Sequence, residues 1–563
     1  DENVNAPDTD LNEARQSVMD EAQTIIDEFG KKKPALADLP KTPLNRLDEV
    51  ELTVRQILAV LKEKGVTNED EVNTILEDSL TKAMEKNQAS TEEDYKTKTI
   101  RVPYVPDFVK QDIRDDVRSN LRTDVVNDVL AQATQERWGI PQALPAWIDK
   151  IKIKGDMRMR AQGEFFAKKN IPLSYPDFLA INKKRSVNLD DQFYQNTTVD
   201  RQRARVRVRV TIDGKVTQGL NAKMRFSTGS ASNPVSTNQS LGNYGASYSV
   251  LWDQMYMKYT GLDVDGFNWV TASAGKMKNP WLSTDLLWDS DFAFEGFAGK
   301  FRFNLRGGDD LLEMTEEDHT AFITLGAFTL QEEELSSRDK WLFGAQAGVE
   351  WIFENQSKFS FALSYYDFVN INGKTNSLNN NDLDFTAPPF VQKGNTMVSI
   401  ANSTDPNEVY YALAGDYNIL NFTLKYDMVN FAPYHVNLVA DYVKNIGFSV
   451  NDIVTQYGIS ADTVLNKTNG YQVGLYVGWP IVKERGRWRV FTSMKYLEAN
   501  AVVDAFTDSD FPLGGTNAKG FVIGGEYSTW DNSWFTLRWL SADEIDGSPL
   551  GIDILQVDLN AVF

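Results

Sequence analysis

Arginine falls at every second position of one short stretch, Arg203, Arg205, Arg207 and Arg209, with Ala204, Val206, Val208 and Val210 between and after them. A spacing of two belongs to a strand, whose successive side chains leave opposite faces, so the guanidiniums share one face and the apolar groups the other. Arg158 and Arg160 repeat the arrangement among Met157, Met159 and Ala161, and Lys223 and Arg225 repeat it among Ala222, Met224 and Phe226. Cations fixed in a row make and break no bonds themselves; they attract and orient anions. The acids available to oppose them are Asp285, Asp289, Asp291 and Glu295, gathered between two alternating stretches.

Other chemistry has little material. There is no cysteine, which removes disulfides, thiolate nucleophiles, iron-sulfur clusters and cysteine-held zinc, and the only histidines are His319 and His435. Imidazole metal clusters and Ser-His-Asp catalysis each need a histidine in a set place, and these two fall in an acidic turn and at the start of a strand. No GxxxxGK, GxGxxG or GxSxG run occurs. The expectation is no catalytic residue, no metal site and no cofactor. Calcium is the rival use for the acids at 285–295, as for Asp504, Asp508 and Asp510, but their spacing fits no calcium loop. The formal charge of -21 argues against nucleic acid, which is bound by clustered excess Lys and Arg.

The elements that must position the arginines are strands. Alternating segments recur from residues 147–162 to residues 552–563, about sixteen in all, joined by connections that are short at Asp531-Asn532-Ser533 and long at 368–415. Asp213-Gly214 supplies an expected hairpin turn. Trp351, Trp479 with Trp488, and Trp530 with Trp534 flank short turns, as girdle residues do. No run of about 18 apolar residues exists to make a transmembrane helix. The fold expected is an all-β transmembrane barrel of about sixteen antiparallel strands with an N-terminal α-helical segment. An Arg facing lipid at mid-depth costs about 2–4 kcal/mol, so the basic ladder must line the lumen. There it either tunes which ions pass or pairs with inward carboxylates and fills the barrel.

Residues 1–106 read as helices and linkers, and 107–146 as an amphipathic helix followed by a proline linker, with the barrel at 147–563. Val109, Ile113, Val117, Leu121, Val125 and Val129 make a narrow apolar stripe that either packs on neighbouring helices or self-associates as a coiled coil. Asp1-Glu2-Asn3 opens the chain without a basic, apolar leader, so a signal peptide is taken as already removed. At the other end Leu555, Val557, Leu559 and Phe563 share one face of the last strand. This resembles the signal by which the barrel assembly machinery recognises its clients.

Four stretches carry a wider resemblance. Tyr104-Val105-Pro106 and Leu144-Pro145-Ala146-Trp147 lead into Gly155-Asp156-Met157-Arg158-Met159-Arg160; Gly275-Lys276-Met277-Lys278-Asn279-Pro280-Trp281 precedes Thr284-Asp285-Leu286-Leu287-Trp288-Asp289-Ser290-Asp291 and Glu295-Gly296. Leu342-Phe343-Gly344-Ala345-Gln346-Ala347-Gly348 is the third, and Asp508-Ser509-Asp510-Phe511 with Leu513-Gly514-Gly515-Thr516 and Arg538-Trp539-Leu540-Ser541-Ala542-Asp543-Glu544-Ile545 the last. Over roughly residues 100–563 the chain resembles the putative porin family of Gram-negative bacteria. The resemblance implies an outer-membrane channel for passive diffusion of small hydrophilic solutes or ions, with the N-terminal region in the periplasm. Its implied partners are outer-membrane lipid and lipopolysaccharide, the barrel assembly machinery and two further copies in a homotrimer. By similarity to trimeric porins, the third external loop carries its acids into the lumen as a constriction facing the basic wall. Exposed acids there should neutralise as pH falls toward about 4, moving selectivity toward anions. The alternative is a barrel used as an anchor or adhesion scaffold, with the N-terminal helices or long loops binding a partner.

Overall fold

The computed structural model describes residues 150–187, 191–264, 266–305 and 319–563. The helices expected within 1–106 and the striped helix of 107–146 lie outside the described residues. Sixteen long strands follow: β1 (Ile151–Phe166), β2 (Arg201–Thr217), β3 (Leu220–Ser227), β4 (Leu251–Leu262), β5 (Asn268–Lys278), β6 (Ala293–Asn304), β7 (Thr320–Gln331) and β8 (Lys340–Ile352), then β9 (Lys358–Val369), β10 (Tyr417–Phe431), β11 (Tyr434–Asn445), β12 (Asn469–Gly478), β13 (Trp488–Leu497), β14 (Ala518–Trp530), β15 (Ser533–Glu544) and β16 (Gly551–Val562). Each pairs antiparallel with its neighbour in sequence, and β16 pairs with β1, so the sheet closes on itself. A two-residue strand, Gln239–Ser240, extends the wall beside β2 above the short β3.

The alternation read from the sequence is the alternation of the wall. Met157, Met224, Leu555 and Val557 are exposed on the outside, while Arg160, Gln162, Gln556 and Asp558 beside them are buried. Val206, Leu424 and Leu559 fall on the same outward face. Two stacked sheets would bury these apolar residues in a common core; a single closed sheet leaves them outside, where hydrocarbon rather than water must cover them. Aromatics collect at the end with the short turns: Trp351 and Trp530 are exposed there, and Tyr434 lies 5.8 Å from Trp479 and 5.3 Å from Trp488. The last residue is held in place, since Phe563 N donates to Gly155 O at 2.9 Å and Gly155 N to Phe563 O at 2.7 Å.

One turn is placed differently from expectation. Asp213 and Gly214 lie inside β2, paired with Lys223 and Ala222 of β3, and the chain reverses at residues 218–219 instead. Gly219 there takes φ +76, a left-handed conformation that glycine adopts without a Cβ penalty, while Asp213 stays on the inner face and pairs with Lys223 at 2.7 Å.

Most connections at the end where both β1 begins and β16 ends are short, 305–319 being the longer exception, and the longest loops occupy the other. Counting loops L1 to L8 from that other end, L2 spans residues 228–250, L3 279–292, L5 370–416 and L7 498–517. L3 and L7 enter the barrel. Leu286, Leu287 and Trp288 of L3 and Ala501, Val502 and Val503 of L7 form one buried apolar cluster with inward side chains of the wall, among them Phe294, Phe328, Leu342 and Tyr366. Part of the outer lumen is therefore packed, not merely lined.

Candidate functional site

Strand register sets the inner face of β16, β1 and β2 out as a grid. Asp558 of β16, Arg160 of β1 and Arg205 of β2 form one row, Asn560, Arg158 and Arg207 the next, and Val562, Asp156 and Arg209 the one nearer the turns. Cations directly opposite one another repel, so the wall is stable only with anions inserted among them. Asp156 accepts from Arg207 at 3.1 Å and Arg209 at 2.9 Å, Asp558 from Arg160 at 2.7 Å, and Glu164 pairs with Arg203 at 2.5 Å. On β3, Lys223 pairs with Asp213, and Arg225 pairs with Asp253 of β4, both at 2.7 Å.

The two inserted loops bring the remaining acids. Asp291 of L3 reaches Arg209 at 3.0 Å and Arg207 at 3.8 Å, and accepts from the Thr237 hydroxyl of L2 at 2.9 Å. Asp510 of L7 accepts from Arg160 at 2.9 Å and Arg538 of β15 at 3.0 Å. Across the lumen, Lys495 of β13 bridges Asp285 of L3 and Asp508 of L7, each at 2.8 Å. L3 is also fastened to β8, where Gln346 exchanges two 2.9 Å bonds with the Leu282 backbone, to β10 through Lys425 donating to Ser283 O at 2.9 Å, and to β11 through Thr284 donating to Asp441 at 2.7 Å. Asp289 joins L3 to L7, accepting from Ser509 N at 2.8 Å while its own N donates to Phe506 O at 2.8 Å. Space remains on both sides of this bar: a cavity of about 540 Å³ toward the long loops, bounded by Asp291, Phe292, Phe390 and Phe506, and one of about 380 Å³ toward the turns, bounded by Asp285, Lys425, Gln472 and Arg489.

Burial alone would raise the pKa of Asp291, but Arg207 and Arg209 outweigh it and hold the carboxyl below its ordinary value. Asp510 is likewise buried, and Arg160, Arg538 and Arg158 take it well below that value. Asp289 goes the other way, pushed well above by burial and by the neighbouring Asp508 and Asp291. Asp291 departs from the expectation of exposed loop acids that neutralise near pH 4, being, like Asp510, a buried ion-pair partner held below its ordinary value, whereas Asp289 is shifted the other way.

Of the four loop acids singled out in the sequence, only Asp291 touches the ladder. Asp285 faces Lys495 on the opposite wall, Asp289 ties L3 to L7, and Glu295 belongs to β6, where it pairs with Lys276 at 2.7 Å and its side chain is 59 % exposed. No three acids or histidines among the described residues are grouped to hold a metal ion. Sequence reasoning allowed for inward carboxylates without assigning the partners, which are Asp156, Glu164 and Asp558 on the arginine face; it also read Asp508 and Asp510 as loop acids without seeing that L7 enters the lumen.

The chain was compared with known proteins. None of the curated proteins matches. Solved structures that align with it include OprB of Pseudomonas putida, at 11% identity over 76% of this chain and 97% of that one with a TM-score of 0.42, and the outer membrane channel DcaP of Acinetobacter baumannii, at 11% over 73% and 97% with a TM-score of 0.36. A triple mutant of Rhodopseudomonas blastica porin aligns at 12% over 73% and 100%, with a TM-score of 0.33. The family described as Putative porin matches residues 51–563, which takes in the whole barrel and reaches back beyond it. With a closed barrel whose outer face is apolar and whose inner face is charged, that match identifies the chain as an outer-membrane channel of the putative porin family.

Proposed function

We propose that small hydrophilic solutes diffuse passively along the lumen past the bar of L3 and L7, and that the basic wall of Arg158, Arg160, Arg203, Arg205, Arg207, Arg209, Lys223 and Arg225 makes the passage anion-preferring. The observation that carries this is the cross-strand juxtaposition of guanidiniums, Arg158 opposite Arg207 and Arg160 opposite Arg205, on the inner face of a closed barrel. A permeating ion meets these fixed charges in a confined, low-dielectric setting where they act strongly. Replacing Arg205, Arg207 and Arg209 together by Gln is expected to move the reversal potential in a salt gradient toward cations; an unchanged potential would leave the ladder as structural filling. The wall belongs to β2, so the variant's conductance and heat-resistant gel mobility should be recorded alongside to show that the barrel still assembles.

The packed outer lumen favours a second reading, a plugged barrel used as an anchor, because Trp288, Phe294 and Phe328 are fully buried where a wide channel would be wet. A barrel of that kind passes no steady current. In either reading the N-terminal region stands in the periplasm, Leu555, Val557, Leu559 and Phe563 present the assembly signal, and lipid and lipopolysaccharide cover the outer wall. Association as a homotrimer through the apolar wall is the expected state; native mass spectrometry in detergent that finds only monomer would count against it.

A further inference from the structure

Negative charge is unevenly shared over the arginine grid. Arg160, Arg203, Arg207 and Arg209 each hold a carboxylate at 3.1 Å or closer. Arg205 holds none within 4 Å among the described residues, and its one hydrogen bond is to Ser236 Oγ of L2 at 3.4 Å. Arg158 reaches Asp558 only at 4.0 Å, an acid that Arg160 already binds at 2.7 Å, and otherwise donates to Asn238 Oδ1 of L2 at 2.5 Å. Register places the two side by side on the diagonal of the grid, since Arg158 opposes Arg207 and Arg160 opposes Arg205. The Nε atoms of both are buried without a partner. A buried guanidinium short of acceptors is costly to leave as it is, and the forked donors of Arg match the paired oxygens of a carboxylate or phosphate.

We propose that Arg158 and Arg205, flanked by Ser236 and Asn238 of L2, form a docking station for an oxyanion, the carboxylate or phosphate group of a small solute in passage. The inference rests on the reading of the lumen as an open path and adds to it a place where the solute pauses. Its cause is local: the ladder as a whole sets the sign of selectivity, whereas among the described residues these two members of the ladder lack a carboxylate of their own. A spherical chloride ion gains less there than a two-oxygen group, because it lacks the paired acceptor atoms that match the parallel donors of a fork.

The test is block of chloride current in planar bilayers by acetate in one arm and inorganic phosphate in the other, each titrated from one side. Concentration-dependent block of the wild-type channel is expected from at least one of them, and the arm that blocks tells carboxylate from phosphate. Block should weaken about tenfold in Arg205→Gln and in Arg158→Gln, the effect of losing a charged hydrogen bond. Arg205→Lys, which keeps the charge but not the fork, guards against a Gln variant that fails to assemble and should also block more weakly than wild type. Block that survives undiminished in the variants, or a wild-type current that neither anion alters, overturns the station while the salt-gradient potential still reports on the ladder separately. A barrel that conducts nothing overturns the open path and the station together.

Discussion

Asp504 shows how a single residue couples the loops to pH. It lies in L7, where its Oδ2 accepts from Gln392 N of L5 at 2.8 Å, and Oδ1 is buried with no partner. Burial pushes its pKa from 3.8 up to about 7. A raised pKa means that the docked state holds the proton more tightly than the undocked one, so the stabilisation is complete below about 4 and is lost as pH rises through about 7. The neighbouring Lys393, whose ammonium donates to Pro512 O and Gly514 O at 2.6 and 2.7 Å, is lowered by burial to about 8, so its contribution runs opposite to that of Asp504 and is felt only as pH rises past that point. L5 is therefore expected to be cut faster by protease at about pH 8 than at about pH 5, relative to an unfolded control, and Asp504→Asn should remove most of that difference. Equal cutting of the wild type at both values would show that Asp504 does not govern the contact. Nothing in the sequence marks this acid apart from its neighbours Asp508 and Asp510, because its pKa comes from L5, more than a hundred positions away, folding over it.

At the scale of elements, the strands were legible and the inserted loops largely were not. A strand writes its environment into every second residue: Val206 and Val208 must meet lipid and Arg205 and Arg207 must not, so the pattern survives without any knowledge of neighbours. L3 carries no period. Its acids, with the similarity to trimeric porins, suggested a loop turned into the lumen, but its path depends on what the far wall offers, Gln346, Lys425 and Lys495, and on a seat of glycines. Trp281 lies against Gly326 of β7 and Gly344 of β8, where a Cβ would stand 2.9 Å and 2.7 Å from the ring. Gly344→Ala is accordingly expected to displace Trp281 and loosen L3, lowering stability by about 1–3 kcal/mol as overpacking does, and to raise the unitary conductance. A variant that is destabilised yet conducts as the wild type does would mean that L3 does not set the bore. L7 was missed for the same reason as Asp504, since its docking is made by Lys495, Arg160 and Arg538 from three different strands.

For the whole molecule, two features pull in opposite directions. The closed barrel with its charged inner wall is the build of a channel, while the aromatic cluster around Trp288, stacked 5.9 Å from Phe292 and edge-on 4.9 Å from Phe294, packs part of the outer lumen as a core would. On the proposed reading both follow from L3 and L7 acting as a bar fastened at both walls, which narrows the path and presses it against the arginines. The acids nearest the wall, Asp291 and Asp510, are buried ion-pair partners that fasten the two loops to the arginines. The most direct test is the zero-current potential of the purified wild-type protein in a planar bilayer under a salt gradient. The account predicts a steady current whose reversal potential has the sign of anion preference; no steady current, or a potential of the cation-preferring sign, would contradict it.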